Sequence, residues 1–122
     1  MRCAVPHLRV EIRNGEVSKG RTVRRPLLMA FAERIGQALK GKAFGALCFQ
    51  AIVTERGEAI VFELNARFGG GYPLTDRAGA TFAKWLLEEA AGLPSSANDQ
   101  WEEGIVMLRY DAAVFRKQDS SA

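Results

Sequence analysis

The chain has 122 residues, 48% of them apolar and 25% charged, with a formal net charge of +3. That mix is ordinary for one soluble globular domain with a buried core, and it argues against fibrous and disordered classes. The length is short for a complete enzyme with two substrates.

No apolar run approaches the roughly 20 residues of a membrane span, and the first residues lack a charged-then-apolar leader pattern, so a cytoplasmic location is the expectation. The charge is uneven: seven basic residues between Arg2 and Arg25 face only Glu11 and Glu16, and the remainder is net negative. Such an arm favours an anionic partner. It lacks the interleaved aromatics that stack bases, which disfavours nucleic acid. His7 is the only histidine and Cys3 and Cys48 the only cysteines. No His-based zinc cluster can therefore be assembled, and Cys48, within an apolar run, reads as a small buried hydrophobe.

In chain order, residues 8 to 23 predict a hairpin. Asn14-Gly15 is a strong two-residue turn signal, pairing Arg13 with Glu16, Ile12 with Val17, and Val10 with Lys19. Its apolar side would be Val10, Ile12 and Val17. Pro26 suits a first helical turn, and Leu27, Leu28, Phe31, Ile35, Ala38 and Leu39 recur at helical spacing up to a left-handed cap at Gly41. The stretch Gly36 to Ala43 misses the phosphate-loop pattern, because Ala43 has no hydroxyl and the segment ends a helix instead of starting one.

Residues 49 to 73, FQAIVTERGEAIVFELNARFGGGYP, predict a second hairpin and a glycine-rich loop. With Arg56-Gly57 as the turn, Glu55 meets Glu58 and Gln50 falls opposite Glu63, about 4.5–5.5 Å away at Cβ. A turn longer by one residue would break that pairing. Glu63, Asn65 and Arg67, spaced by two, share one strand face. This row is either a solvated strand face or a site for a hard cation beside a phosphate, with Gln50, Glu63 and Asn65 supplying oxygens and Arg67 a planar donor fork. Gly69-Gly70-Gly71 allow close backbone approach to a ligand, which a merely solvated face does not explain.

Residues 78 to 91 predict a second helix, with Phe82, Trp85, Leu86 and Ala90 on one face and Thr75 or Asp76 as N-cap. Trp101 is an expected core anchor, and residues 105 to 110 an expected closing strand. Short strands, tight turns and two helical segments place the fold in the α+β class, as one antiparallel sheet with helices on one face.

At Gln50 and through ELNARFGGGYPLTDRAGA the chain resembles the metal-binding strand and following loop of the ATP-grasp superfamily, and is most similar to carbamoyl-phosphate synthase large subunit-like members. The resemblance runs from about Cys3 to Phe115 as the C-terminal part of an ATP-grasp domain, leaving residues 116 to 122 as a polar tail. It implies Mg²⁺ or Mn²⁺ on Gln50, Glu63 and Asn65, a catalytic phosphate contact at Arg67, and nucleotide contacts at Gly69, Gly70 and Gly71. In complete members ATP activates a small-molecule carboxylate through an acyl phosphate. The lysine, the phosphate-covering loop and the adenine-reading hinge of such members are absent here. The resemblance therefore implies a missing N-terminal part as partner and no activity alone; the alternative is a non-catalytic interaction domain that kept the fold.

Overall fold

A computed structural model describes residues 1–118; the last four residues of the expected polar tail, 119–122, lie outside the described residues. Eight elements follow in order: β1 (His7–Arg13), β2 (Glu16–Thr22), α1 (Pro26–Ala38), β3 (Cys48–Val53), β4 (Ala59–Asn65), α2 (Tyr72–Arg77), α3 (Phe82–Ala90) and β5 (Val106–Leu108). The class is α+β with antiparallel pairing throughout, as expected. The strands nevertheless form two sheets where one was expected: β1-β2-β5, and the separate pair β3-β4. A single sheet would need a regular outer edge on β1 or β5. The first is bulged and the second is three residues long, so neither offers one.

In the first hairpin Asn14 and Gly15 both have positive φ, 52° and 78°, the two-residue turn that matches strand twist. Arg13 pairs with Glu16 and Ile12 with Val17, as the turn dictates. Farther out the register shifts, and Glu11, not Val10, meets Lys19. The Lys19 ammonium lies 2.8 Å from the Glu11 carboxylate, which also accepts the Ser18 hydroxyl. These contacts hold the Glu11 carboxyl below its usual range, with the Lys19 hydrogen bond as the leading cause. Val10 is thereby left out of the ladder. Of the expected apolar side only Val17 is buried, while Val10 and Ile12 are exposed.

α1 starts with Pro26 in its first turn, and Gly41 at φ 74° follows its end. The helix expected over 78 to 91 is α3, which starts only at Phe82, and an unexpected helix, α2, lies wholly ahead of that span. Pro73 opens α2, and Gly79 at φ 103° breaks the chain before α3. Thr75 and Asp76 are therefore inside α2 and cap nothing; the N-cap of α3 is Thr81. Ala90, expected on the buried face of α3, is exposed.

The core gathers Ala78, Ala80, Trp85 and Trp101, with Met29, Phe82 and Ile105 packed against it. Trp101, 4% exposed, donates its indole N–H to Asp99 at 2.9 Å and carries the Arg24 guanidinium 3.8 Å over its ring. Leu74 of α2 is buried on β2 over Gly20, where a Cβ would sit 3.7 Å from the leucine methyl. Thr22 is fully buried; its hydroxyl donates to the Glu102 carbonyl and accepts the Ile105 N–H, tying β2 to the segment that leads into β5. Among the described residues no helix is long and apolar enough to cross a membrane.

Candidate functional site

The central hairpin turns through three residues, Glu55, Arg56 and Gly57, with Thr54 and Glu58 as the closing pair. Gly57 takes φ 78°, the left-handed position that ends such a loop. The loop is one residue longer than expected, which alone would move Glu63 off Gln50. A bulge in β4 restores the pairing: Ala51 meets Val61 and Gln50 meets Glu63, so Phe62 has no partner on β3. Gln50 and Glu63 are therefore cross-strand neighbours through two offsetting irregularities and not through a regular ladder.

Asn65 stays in the row, pairing with Cys48 and donating its amide N–H to Glu63 at 2.8 Å. Arg67 does not. β4 ends at Asn65, the chain bends, and the Arg67 guanidinium donates to the Phe68 carbonyl at 2.9 Å. In its place a residue not anticipated from sequence enters the row. Arg9 of β1 donates to the side-chain oxygen of Gln50 at 2.8 Å, crossing from one sheet to the other. Glu63 is exposed, and Gln50 and Asn65 are half-buried.

The glycine loop is close-packed, and its neighbours are the protein's own side chains. A Cβ on Gly69 would lie 2.6 Å from the Cys48 sulfur, and one on Gly71 would lie 2.9 Å from Nδ1 of His7. Gly70 sits over the Glu16 side chain, and its carbonyl accepts the Arg109 guanidinium at 2.7 Å, whose other arm holds Glu16 at 2.6 Å. Nε2 of His7 is bonded to the Thr75 hydroxyl at 2.9 Å, and burial lowers the histidine pKa to about 4. An imidazole so placed is neutral at pH 7. Phe68, Tyr72, Phe82 and Trp85 then form a run of ring contacts from the loop to the core. Its Tyr72 hydroxyl donates to Asp76 and accepts the Ala83 N–H. His7, Glu16 and Arg109 were missed because each lies far from the loop in sequence, and no local spacing signals them.

The oxygens of Gln50, Glu63 and Asn65 suit a hard cation, but with a single carboxylate they fit one whose remaining ligands come from a phosphate chain and water. Among the described residues no group of three His, Cys, Asp or Glu could hold a metal. Two open clefts, of about 350 and 330 Å³, lie elsewhere, one beside Cys3, Met29 and Asp99 and the other beside Arg21, Arg25 and Glu103. Neither is lined by a residue of the row. Burial, and then the adjacent Asp99, push the Cys3 thiol up to about 12, so it is no nucleophile at pH 7. The chain matches no known protein-family model and no curated protein.

Proposed function

We propose that this chain is the metal- and phosphate-binding C-terminal part of an ATP-grasp-type ligase and is inactive by itself. One observation carries the reading: Gln50 and Glu63 face each other across β3 and β4 with Asn65 beside them on an accessible surface. When bound, Mg²⁺ or Mn²⁺ would neutralise phosphate charge during transfer to a carboxylate substrate. Glu63 supplies the one negative ligand, Gln50 and Asn65 supply amide oxygens, and Arg67 is close enough in sequence to meet a phosphate once it leaves the Phe68 carbonyl. The glycine loop holds the strand end and α2 together through Cys48, His7 and Glu16. Adenine and ribose need an apolar cleft that buries most of their surface, and a missing N-terminal part has to provide it.

Calorimetry of the isolated chain with Mg-ATP tests the fragment reading. No saturable binding is expected below about millimolar concentration, which corresponds to roughly −4 kcal/mol. Micromolar affinity would overturn it. A second reading, a non-catalytic interaction domain, draws on the exposed Ile52, Ile60, Phe62 and Leu64 of the hairpin. The two part when an ATP-grasp N-terminal fragment is supplied in trans: a ligase part gains Mg-ATP binding that Glu63→Ala removes, and an interaction domain does not.

A further inference from the structure

We infer that Arg9 holds the place of a cation on Gln50, so that the row takes a divalent ion only together with a phosphate-bearing anion that draws Arg9 away. The inference rests on the reading of Gln50, Glu63 and Asn65 as a cation site.

The Gln50 amide oxygen is the only oxygen β3 contributes to the row, and the Arg9 Nη1 already lies 2.8 Å from it. An Mg²⁺ ion binds oxygen at about 2.1 Å. With Arg9 in place, such an ion would sit within roughly 4 Å of a guanidinium, where like charges repel strongly in a partly buried setting. The row cannot offset both. It holds one carboxylate, Glu63, one oxygen of which is engaged by the Asn65 amide. A dication and a guanidinium against one carboxylate leave two positive charges uncompensated.

Of the seven cations of its arm, Arg2, Arg13, Lys19 and Arg24 each meet a carboxylate, on Glu89, Asp111, Glu11 and Asp99. Among the described residues Arg9, Arg21 and Arg25 meet none, and of these three Arg9 alone bonds a side chain of the row, the neutral amide of Gln50. Arg67, which lies two residues past the end of β4 and outside the row, likewise bonds only a neighbouring carbonyl. Two guanidiniums, one on β1 and one just past β4, thus have only neutral, exchangeable partners. A linear di- or triphosphate matches them: its terminal oxygens can take Arg9 and Arg67 while an inner oxygen completes the metal's shell. Arg9 thus makes metal and anion binding mutually dependent, and by linkage each strengthens the other by the same factor.

Binding of Mn²⁺ to the full chain, followed by electron paramagnetic resonance with and without pyrophosphate, tests this. Wild type should bind Mn²⁺ alone poorly and retain it when pyrophosphate is present at millimolar concentration, the same weak range expected for Mg-ATP. Arg9→Gln should bind Mn²⁺ alone roughly tenfold more tightly, by loss of the repulsion, and gain less from pyrophosphate than wild type does. Arg9→Lys, which keeps the charge, should behave as wild type and separates the charge effect from any change in fold. If Arg9→Gln matches wild type in both conditions while Glu63→Gln loses the ion, the inference falls and the row stands as a metal site. If Glu63→Gln changes nothing either, the row is no metal site and both fall.

Discussion

The region around Trp85 and Trp101 and the β3–β4 hairpin both carry large apolar residues and use them differently. The two tryptophans are 7% and 4% exposed, whereas Ile60 and Phe62 of the hairpin are 55% and 54% exposed. No hairpin residue belongs to the core cluster. The hairpin carries the polar row, and a lone two-stranded hairpin is marginal in water. Besides its contact with α1, the hairpin and the loop and helix that follow it are tied to the rest by side-chain bonds: Arg9 to Gln50, Arg109 to the Gly70 carbonyl, and His7 to Thr75. The core gathers around the tryptophans, and the candidate site lies on a hairpin outside it.

The sharpest way to break this contrast is at the core. Trp101→Ala should cost about 3–5 kcal/mol and leave little folded protein, as measured by urea denaturation. An equal loss from truncating Phe62 would mean that the hairpin is as integral as the core. Next come the side-chain bonds. His7 has a pKa near 4 in the fold against 6.5 when unfolded, so its contribution is complete above about pH 6.5 and is lost as pH falls toward 4. That loss amounts to roughly 3 kcal/mol at most, and it should be missing from His7→Asn when stability is measured across this window.

Gly69→Ala should cost about 1–3 kcal/mol, because the new methyl meets the Cys48 sulfur, and Cys48→Ala in the same chain should recover part of it. Additive losses in the double variant would show that the two positions do not press on each other. The smallest effect belongs to the row: Glu63→Gln should change stability by less than about 0.5 kcal/mol, since the carboxylate is exposed. A thermal scan that shows a larger drop would assign Glu63 to the structure and not to a ligand.

The parts legible in the sequence are those fixed by neighbours along the chain. Asn14-Gly15 set its turn, Pro26 and the helical spacing set α1, and alternation marked the strands. Gln50 opposite Glu63 was also legible, although the counting behind it assumed a two-residue turn and no bulge, two errors that cancel. What escaped was set by distant residues. The packing of Gly69 on Cys48 and Gly71 on His7, the reach of Arg9 across the sheets, and the register shift that displaces Val10 all depend on which surfaces meet. The separate helix α2 was available in principle from Pro73 and the later start of α3 from Gly79, but the apolar spacing from Ala78 onward outweighed them.

Because nothing on β3 opposes Phe62, the hairpin tolerates losing and gaining residues unequally on its two arms. A deletion between Ala59 and Phe62 can be absorbed by straightening the bulge, leaving Glu63, Leu64 and Asn65 opposite Gln50, Phe49 and Cys48. The same deletion in β3 leaves two surplus residues on β4 and no means of absorbing them. An insertion beside Ala51 is harmless for the converse reason, since it gives Phe62 a partner. Length variation in this hairpin should therefore be accepted as a shorter β4 or a longer β3, and a library of single-residue deletions scored for folded protein would show that asymmetry.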